Sequence, residues 1–188
     1  EKEGDWLAVS AEQWFTTETP GFIWRADVGA GSLLQFSGRD QFIDAKGKML
    51  IKAYGMIEVV NADGPKIDQG AAVRFLSEII WFPAAATADY ISWEQTDSLS
   101  ATATFSYLGQ TVSGIFKFNE SGQLISFLAA RFYDKSGKLE NWLITIDPQS
   151  ETEFESVLVP TQASVTWQLA EGDFTWYDLE IIDLKYTP

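Results

Sequence analysis

The chain has 188 residues, 46% of them hydrophobic and 14% aromatic, enough for one folded domain with a sizeable core. Its 27 acids against 13 bases give a formal charge of −14, a field that repels phosphate backbones and anionic headgroups and argues against a nucleic-acid partner. The absence of cysteine and histidine excludes disulfides, thiolate nucleophiles and histidine-based triads, and leaves only carboxylates for a metal site.

Trp6 to Phe15 reads as a first strand, and the turn before Phe22 is punctuated by Pro20 and Gly21. In the next strand Phe22, Trp24, Ala26 and Val28 alternate with Arg25 and Asp27, so one face is apolar and the other charged. Gly29 and Gly31 end it, and a less regular strand is expected from Leu33 to Ile43. Asp44-Ala45-Lys46-Gly47 is a hairpin turn in which Gly47 supplies the positive φ, and Lys48 to Val60 returns with Met49, Ile51, Ala53, Ile57 and Val59 on one face.

One helix is expected, from Asp68 to about Trp81. Asp68 can cap the free amides of its first turn, and Pro83 stops it. Ala72, Val73, Leu76, Ile79 and Ile80 recur at helical spacing and make an apolar stripe, with Arg74 and Glu78 four apart beside it.

Strands resume at Tyr90–Gln95, Ser100–Tyr107, Thr111–Phe118, Leu124–Tyr133, Lys138–Ile146, Glu153–Val159, Thr161–Leu169 and Phe174–Tyr186, joined by glycine-containing turns at Gly109, Gly122, Gly137 and Gly172. The expected fold is therefore mainly β. It is a curved antiparallel sheet or incomplete barrel of about ten strands, with the helix packed on it, in a single domain over residues 1–188. No apolar run approaches the ~20 residues of a membrane-spanning helix. The chain begins at Glu1 without methionine, so an upstream segment is expected to be missing.

Three places carry charge or aromatic surface out of pattern. Glu78-x-x-Trp81-x-Pro83 at the helix end reads either as a carboxylate facing a cavity with Trp81 as its wall, or as a tryptophan plug with a proline stop. Arg74 is either the helical partner of Glu78 or an anion anchor. Arg131 lies on the face shared by Phe127 and Ala129, where a cation must reach the rim or pair with a carboxylate. Trp24, Trp81, Trp142 and Trp167 together exceed the aromatic needs of a small core. No phosphate-cradling loop, dinucleotide fingerprint or nucleophile elbow occurs, so no cofactor is expected.

The segments Gln13-Trp14-Phe15, Pro20-Gly21-Phe22-Ile23-Trp24-Arg25-Ala26, Asp63-Gly64-Pro65-Lys66-Ile67-Asp68, Arg74-Phe75-Leu76-Ser77-Glu78 with Trp81-Phe82-Pro83, Ala130-Arg131-Phe132, Val159-Pro160 and Val165-x-Trp167 resemble an uncharacterised prokaryotic domain family over nearly the whole chain. Family members carry a further N-terminal strand and leader, and prolines between the positions matching Lys138 and Trp142 that this chain lacks. The resemblance implies no activity and no catalytic residue. The order of strands and helix is similar to the half-barrel of periplasmic lipoprotein carriers, which implies a helix-lidded apolar cavity by analogy of fold alone.

The expected function is non-catalytic binding of an apolar or amphipathic, lipid-like molecule between the sheet and the helix, with Trp24, Arg74, Glu78, Trp81, Arg131 and Trp142 as ligand contacts. A structural or protein-interaction domain with a solid core is the alternative, and an enzyme the third reading. Compartment, oligomeric state and ligand identity are not specified by the residues.

Overall fold

The computed structural model describes residues 6–29 and 35–187, so Gly31 and the expected strand start at Leu33 lie outside the described residues. The fold is mainly β: fourteen antiparallel strands and one α-helix, among the described residues. Two compact units divide the chain, Glu1–Ala71 and Ala72–Pro188, with the boundary inside the helix.

The first unit holds a five-stranded meander in which each strand pairs with the next: β1 (Val9–Thr16), β2 (Gly21–Val28), β3 (Phe36–Ile43), β4 (Lys46–Ala53) and β5 (Ile57–Asp63). Register and the two-residue period give the sheet unlike faces. Across one run Phe22↔Phe42, Ala26↔Gly38, Gly38↔Ile51 and Ile51↔Val60, a surface that is apolar except for Asp40, buried on the same face between Trp24 and Met49. Arg25↔Arg39 and Gln41↔Lys48 lie on the other.

Two turns differ from the sequence reading. The β3–β4 turn is Asp44-Ala45, both with positive φ (51° and 59°), and Gly47 already belongs to β4. The glycine is needed there for another reason: a Cβ on Gly47 would stand 2.5 Å from the Ile67 carbonyl oxygen, so the helix backbone rides directly over this strand. The expected long return strand is broken by a turn at Tyr54-Gly55 (φ 51° and 69°), which makes β4 and β5 separate strands. Gly55, inside an otherwise apolar run, is the one mark this turn leaves in the sequence.

Helix α1 spans Pro65–Glu78, with Pro65 at its first position, where a missing amide costs nothing. Asp68 is thus one turn inside the helix and does not cap it. Its carboxylate accepts from the Gly47 amide at 2.8 Å and from Lys46 Nζ at 2.9 Å, fastening α1 to β4. Pro83 opens a separate short 3-10 turn, Pro83–Thr87, after the helix has ended.

The second unit holds a seven-stranded sheet in the order β14-β13-β10-β9-β8-β7-β6. Its strands are β6 (Ile91–Asp97), β7 (Ser100–Tyr107), β8 (Gln110–Phe118), β9 (Leu124–Phe132), β10 (Leu139–Ile146), β13 (Gln162–Leu169) and β14 (Gly172–Glu180). Between β10 and β13 the chain makes a small hairpin, β11 (Glu151–Phe154) and β12 (Val157–Pro160), turned by Glu155 and Ser156 at positive φ where a single strand was expected. Among the described residues neither large sheet closes on itself, because β1, β5, β6 and β14 each have one neighbour.

One face of this second sheet carries an aromatic row with rings from β6, β8, β9 and β10, the first reaching across β7: Trp93–Phe116 at 5.2 Å, Phe116–Phe127 at 4.8 Å and Phe127–Trp142 at 6.4 Å between ring centroids. Such tilted and edge-on pairs are the favoured aromatic geometries. The Phe127 ring covers Gly114, where a side chain of any size would collide with it. On the C-terminal half of α1, Phe75 packs against Phe82, Tyr90 and Phe105 at 5.4, 6.1 and 5.5 Å. Phe75, Leu76, Ser77 and Glu78 are all buried, so the buried surface is wider than the stripe read from periodicity.

Candidate functional site

The six residues singled out in the sequence fall into separate settings. Trp24 is in the first unit, on the apolar face of β2, half-buried. Its six-membered ring lies over Gly38 of β3, 3.3 Å from where a Cβ would stand, so the glycine gives the indole a seat on the neighbouring strand. Around it the face is graded. Phe22, Ala26, Phe42 and Asp40, the register partner of Trp24, are buried, whereas Val28, Phe36, Met49, Ile51, Ala53 and Val60 stay partly exposed.

In the second unit Arg74 and Glu78 form the ion pair that their four-residue spacing suggested, Nε to Oε1 2.8 Å. The pair is poorly solvated, with side-chain exposures of 16% and 10%, unlike most helical surface pairs. Tyr177 on β14 lies within electrostatic reach. Burial pushes its phenol above the usual range; the Arg74 guanidinium opposes that rise and the Glu78 carboxylate adds to it. Sequence reasoning missed Tyr177, although its position opposite Val165 on the apolar face of β13 marks it as inward-facing.

Trp81 is a fastening point. Its Nε1–H donates to the Pro160 carbonyl at 2.9 Å, and its own carbonyl accepts from the Tyr186 hydroxyl at 2.8 Å. The Tyr186 amide in turn donates to Glu155 Oε2 at 2.7 Å, tying the C-terminal segment to the β11–β12 turn. Tyr186 is a second residue that sequence reasoning did not single out, because its partners lie 31 and 105 residues away.

Arg131 and Trp142 meet on adjacent strands. Arg131 Cζ lies 4.7 Å from the centroid of the Trp142 ring, a cation–π contact, and Arg131 is the register partner of Glu140. The buried Trp142 Nε1–H has no acceptor among the described residues. The structure therefore brings together Arg74 with Glu78 and Arg131 with Trp142, while Trp81 makes its bonds to Pro160 and Tyr186.

Two open depressions mark the surface. One of about 530 Å³ is lined by residues of β10, β13 and β14, including Asp178 and Glu180, and by Asp147 just beyond β10. The other, about 390 Å³, is lined by Lys46, Asp63, Pro65 and Asp68 among others. Neither is lined by any of the six residues named from sequence. Among the described residues no group of three or more acids is placed to hold a metal ion, and no helix is long and apolar enough to cross a membrane.

Comparison with the curated proteins and with the solved structures finds no match. Over residues 1–186 the chain matches the family described as "Family of unknown function (DUF6920)", and it belongs to that family.

Proposed function

We propose that the protein binds an apolar or amphipathic, lipid-like molecule without transforming it, and that the ligand lies on the apolar face of the five-stranded sheet. The observation that carries this reading is the graded face around Trp24. Its end at Phe22 and Phe42 is buried, while Val28, Phe36, Ile51, Ala53 and Val60 keep part of their apolar surface in water. Covering such surface is favourable at about 25 cal/mol per Å². The reading keeps Trp24 as a ligand contact. It gives Arg74, Glu78, Trp81, Arg131 and Trp142 a framework role, because contacts within the chain already engage each of them.

The second reading is a structural or protein-interaction domain with a solid core. What favours it is the aromatic packing of Phe75 with Phe82, Tyr90 and Phe105 against α1, where the sequence had suggested a ligand cavity.

Native mass spectrometry and solvent extraction of the purified chain test the first reading, together with titration of a fluorescent fatty acid. A bound apolar molecule, or saturable uptake that Ile51→Gln weakens without changing the unfolding midpoint, supports ligand binding. Finding no bound molecule and no uptake overturns it and leaves the second reading.

A further inference from the structure

The end of the five-stranded sheet at the β4–β5 turn is unusual in what it exposes. Register places the start of β1, the end of β2, the start of β3, the end of β4 and the start of β5 side by side: Val9↔Val28, Val28↔Phe36, Phe36↔Ala53 and Ala53↔Ile57. Backbone bonds from Gly29 N to Ala8 O (2.9 Å) and from Tyr54 N to Gln35 O (3.0 Å) knit these ends together. α1 is fastened at the opposite end of β4, through Lys46 and Gly47. At about 3.3 Å per residue, the length of β4 separates the two ends by roughly 25 Å.

On this free end stand Trp6, Leu7, Tyr54, Met56, Ile57 and Val59, all exposed, with Met56 at 81%, Trp6 at 63% and Ile57 at 62%. Single exposed apolar residues are ordinary, but six on adjoining strand ends are not. Among the described residues within three positions of these strand ends the charges cancel: Arg25, Arg39 and Lys52 balance Glu12, Asp27 and Glu58, in a chain whose formal charge is −14. The turn also looks after its own backbone, since the Met56 amide donates to Ala53 O at 3.1 Å and the Tyr54 amide is bonded to Gln35. With these two amides bonded, the turn can leave water without the cost of stranding them.

We propose that this end docks on the surface of a zwitterionic phospholipid bilayer, with Met56, Ile57 and Leu7 entering the acyl boundary and Trp6 and Tyr54 at headgroup level. Tryptophan and tyrosine favour that level because one part of the ring system is apolar and another polar. Charge decides the lipid class. An end of no net charge on a strongly acidic chain fits an uncharged surface and is repelled from an anionic one. The proposal rests on the ligand reading above and deepens it. The docked end runs through Val28, Phe36 and Ala53 into the half-covered apolar face, so a lipid-like molecule could pass from the bilayer to that face without crossing water.

The test is flotation of the full chain with phosphatidylcholine vesicles, at low and high salt, and with phosphatidylglycerol added. The expected result is co-flotation that salt does not weaken and that phosphatidylglycerol reduces. Met56→Glu with Ile57→Gln should lower the bound fraction roughly tenfold, as binding scales with the apolar area inserted. Leu108→Glu, at an exposed hairpin tip of the second unit, should leave it unchanged. No flotation of the wild type, or an equal loss with Leu108→Glu, overturns the proposal. So does a size-exclusion dimer that Met56→Glu dissociates while vesicles bind nothing, since the end then serves a second copy of the chain. Uptake of a soluble fluorescent fatty acid is read separately. Uptake without flotation sinks docking alone, whereas flotation without uptake sinks the ligand reading alone.

Discussion

The guanidinium of Arg131 lies over the indole of Trp142, 4.7 Å from Cζ to ring centroid, while the indole's own N–H is buried and has no acceptor among the described residues. The ring is held face-on to the cation, and the donor at its edge goes unbonded. A buried unbonded donor costs about 1–3 kcal/mol, while a cation–π contact returns about 0.5–2.

Trp142→Phe should therefore be mild, within about 1 kcal/mol of wild type, because it removes the orphan donor along with some packing. Trp142→Ala should cost about 3–5 kcal/mol, the usual loss for a buried large aromatic. Urea unfolding of both variants gives the comparison. A phenylalanine variant as damaged as the alanine variant would show that the N–H is bonded after all.

Arg74 and Glu78 should couple more strongly than an exposed helical pair. Their side chains are 16% and 10% exposed, so removing one leaves the other charged in a poorly solvated place. Arg74→Met and Glu78→Gln should each destabilise by about 2 kcal/mol or more, and the double variant should lose much less than the sum. A double-mutant cycle measures this. Coupling at the ~0.3–0.5 kcal/mol of a surface pair would mean water reaches the pair freely.

Gly47→Ala should destabilise by about 2 kcal/mol or more, because its new methyl would stand 2.5 Å from a backbone oxygen that cannot swing away. Asp68→Ala should cost about 1–3 kcal/mol by leaving the Gly47 amide without its acceptor. Thermal unfolding of both variants checks whether the contact between α1 and β4 has the tightness seen here. Neutral results would mean that the helix start is free to lift from the strand.

Alkaline pH should weaken the fold through its half-buried phenols. Burial pushes Tyr90 up to about 12 from an ordinary 10.0, and Tyr177 and Tyr186 move in the same direction. The folded chain thus keeps the Tyr90 proton where the unfolded chain releases it, so stability present below pH 10 falls as pH rises toward 12. Urea midpoints across that range should decline, and Tyr90→Phe should make the decline shallower. Parallel profiles for wild type and variant would show that Tyr90 titrates as an exposed phenol.

What the sequence determined by itself was whatever depends on neighbours close along the chain. The alternation of Phe22, Trp24, Ala26 and Val28 specifies a two-faced strand, and the spacing of Arg74 and Glu78 specifies their pair, since three or four residues make one helical turn. Lack of histidine and cysteine likewise restricts the chemistry without any fold. Tertiary structure alone decided the rest. That Gly47 must be glycine depends on Ile67, twenty residues on, and the place of Trp81 depends on Pro160 and Tyr186, 79 and 105 residues away. The Tyr54-Gly55 turn was marked in the sequence by Gly55 alone, and a lone glycine in a strand pattern fits a bulge as well as a turn. Which aromatics are core and which are left open was also undecided until then: Trp142 and Trp167 are buried, whereas Trp6 and Trp14 are exposed. Hydrophobicity drives all four equally toward cover, and only the path of the whole chain determines which of them find it.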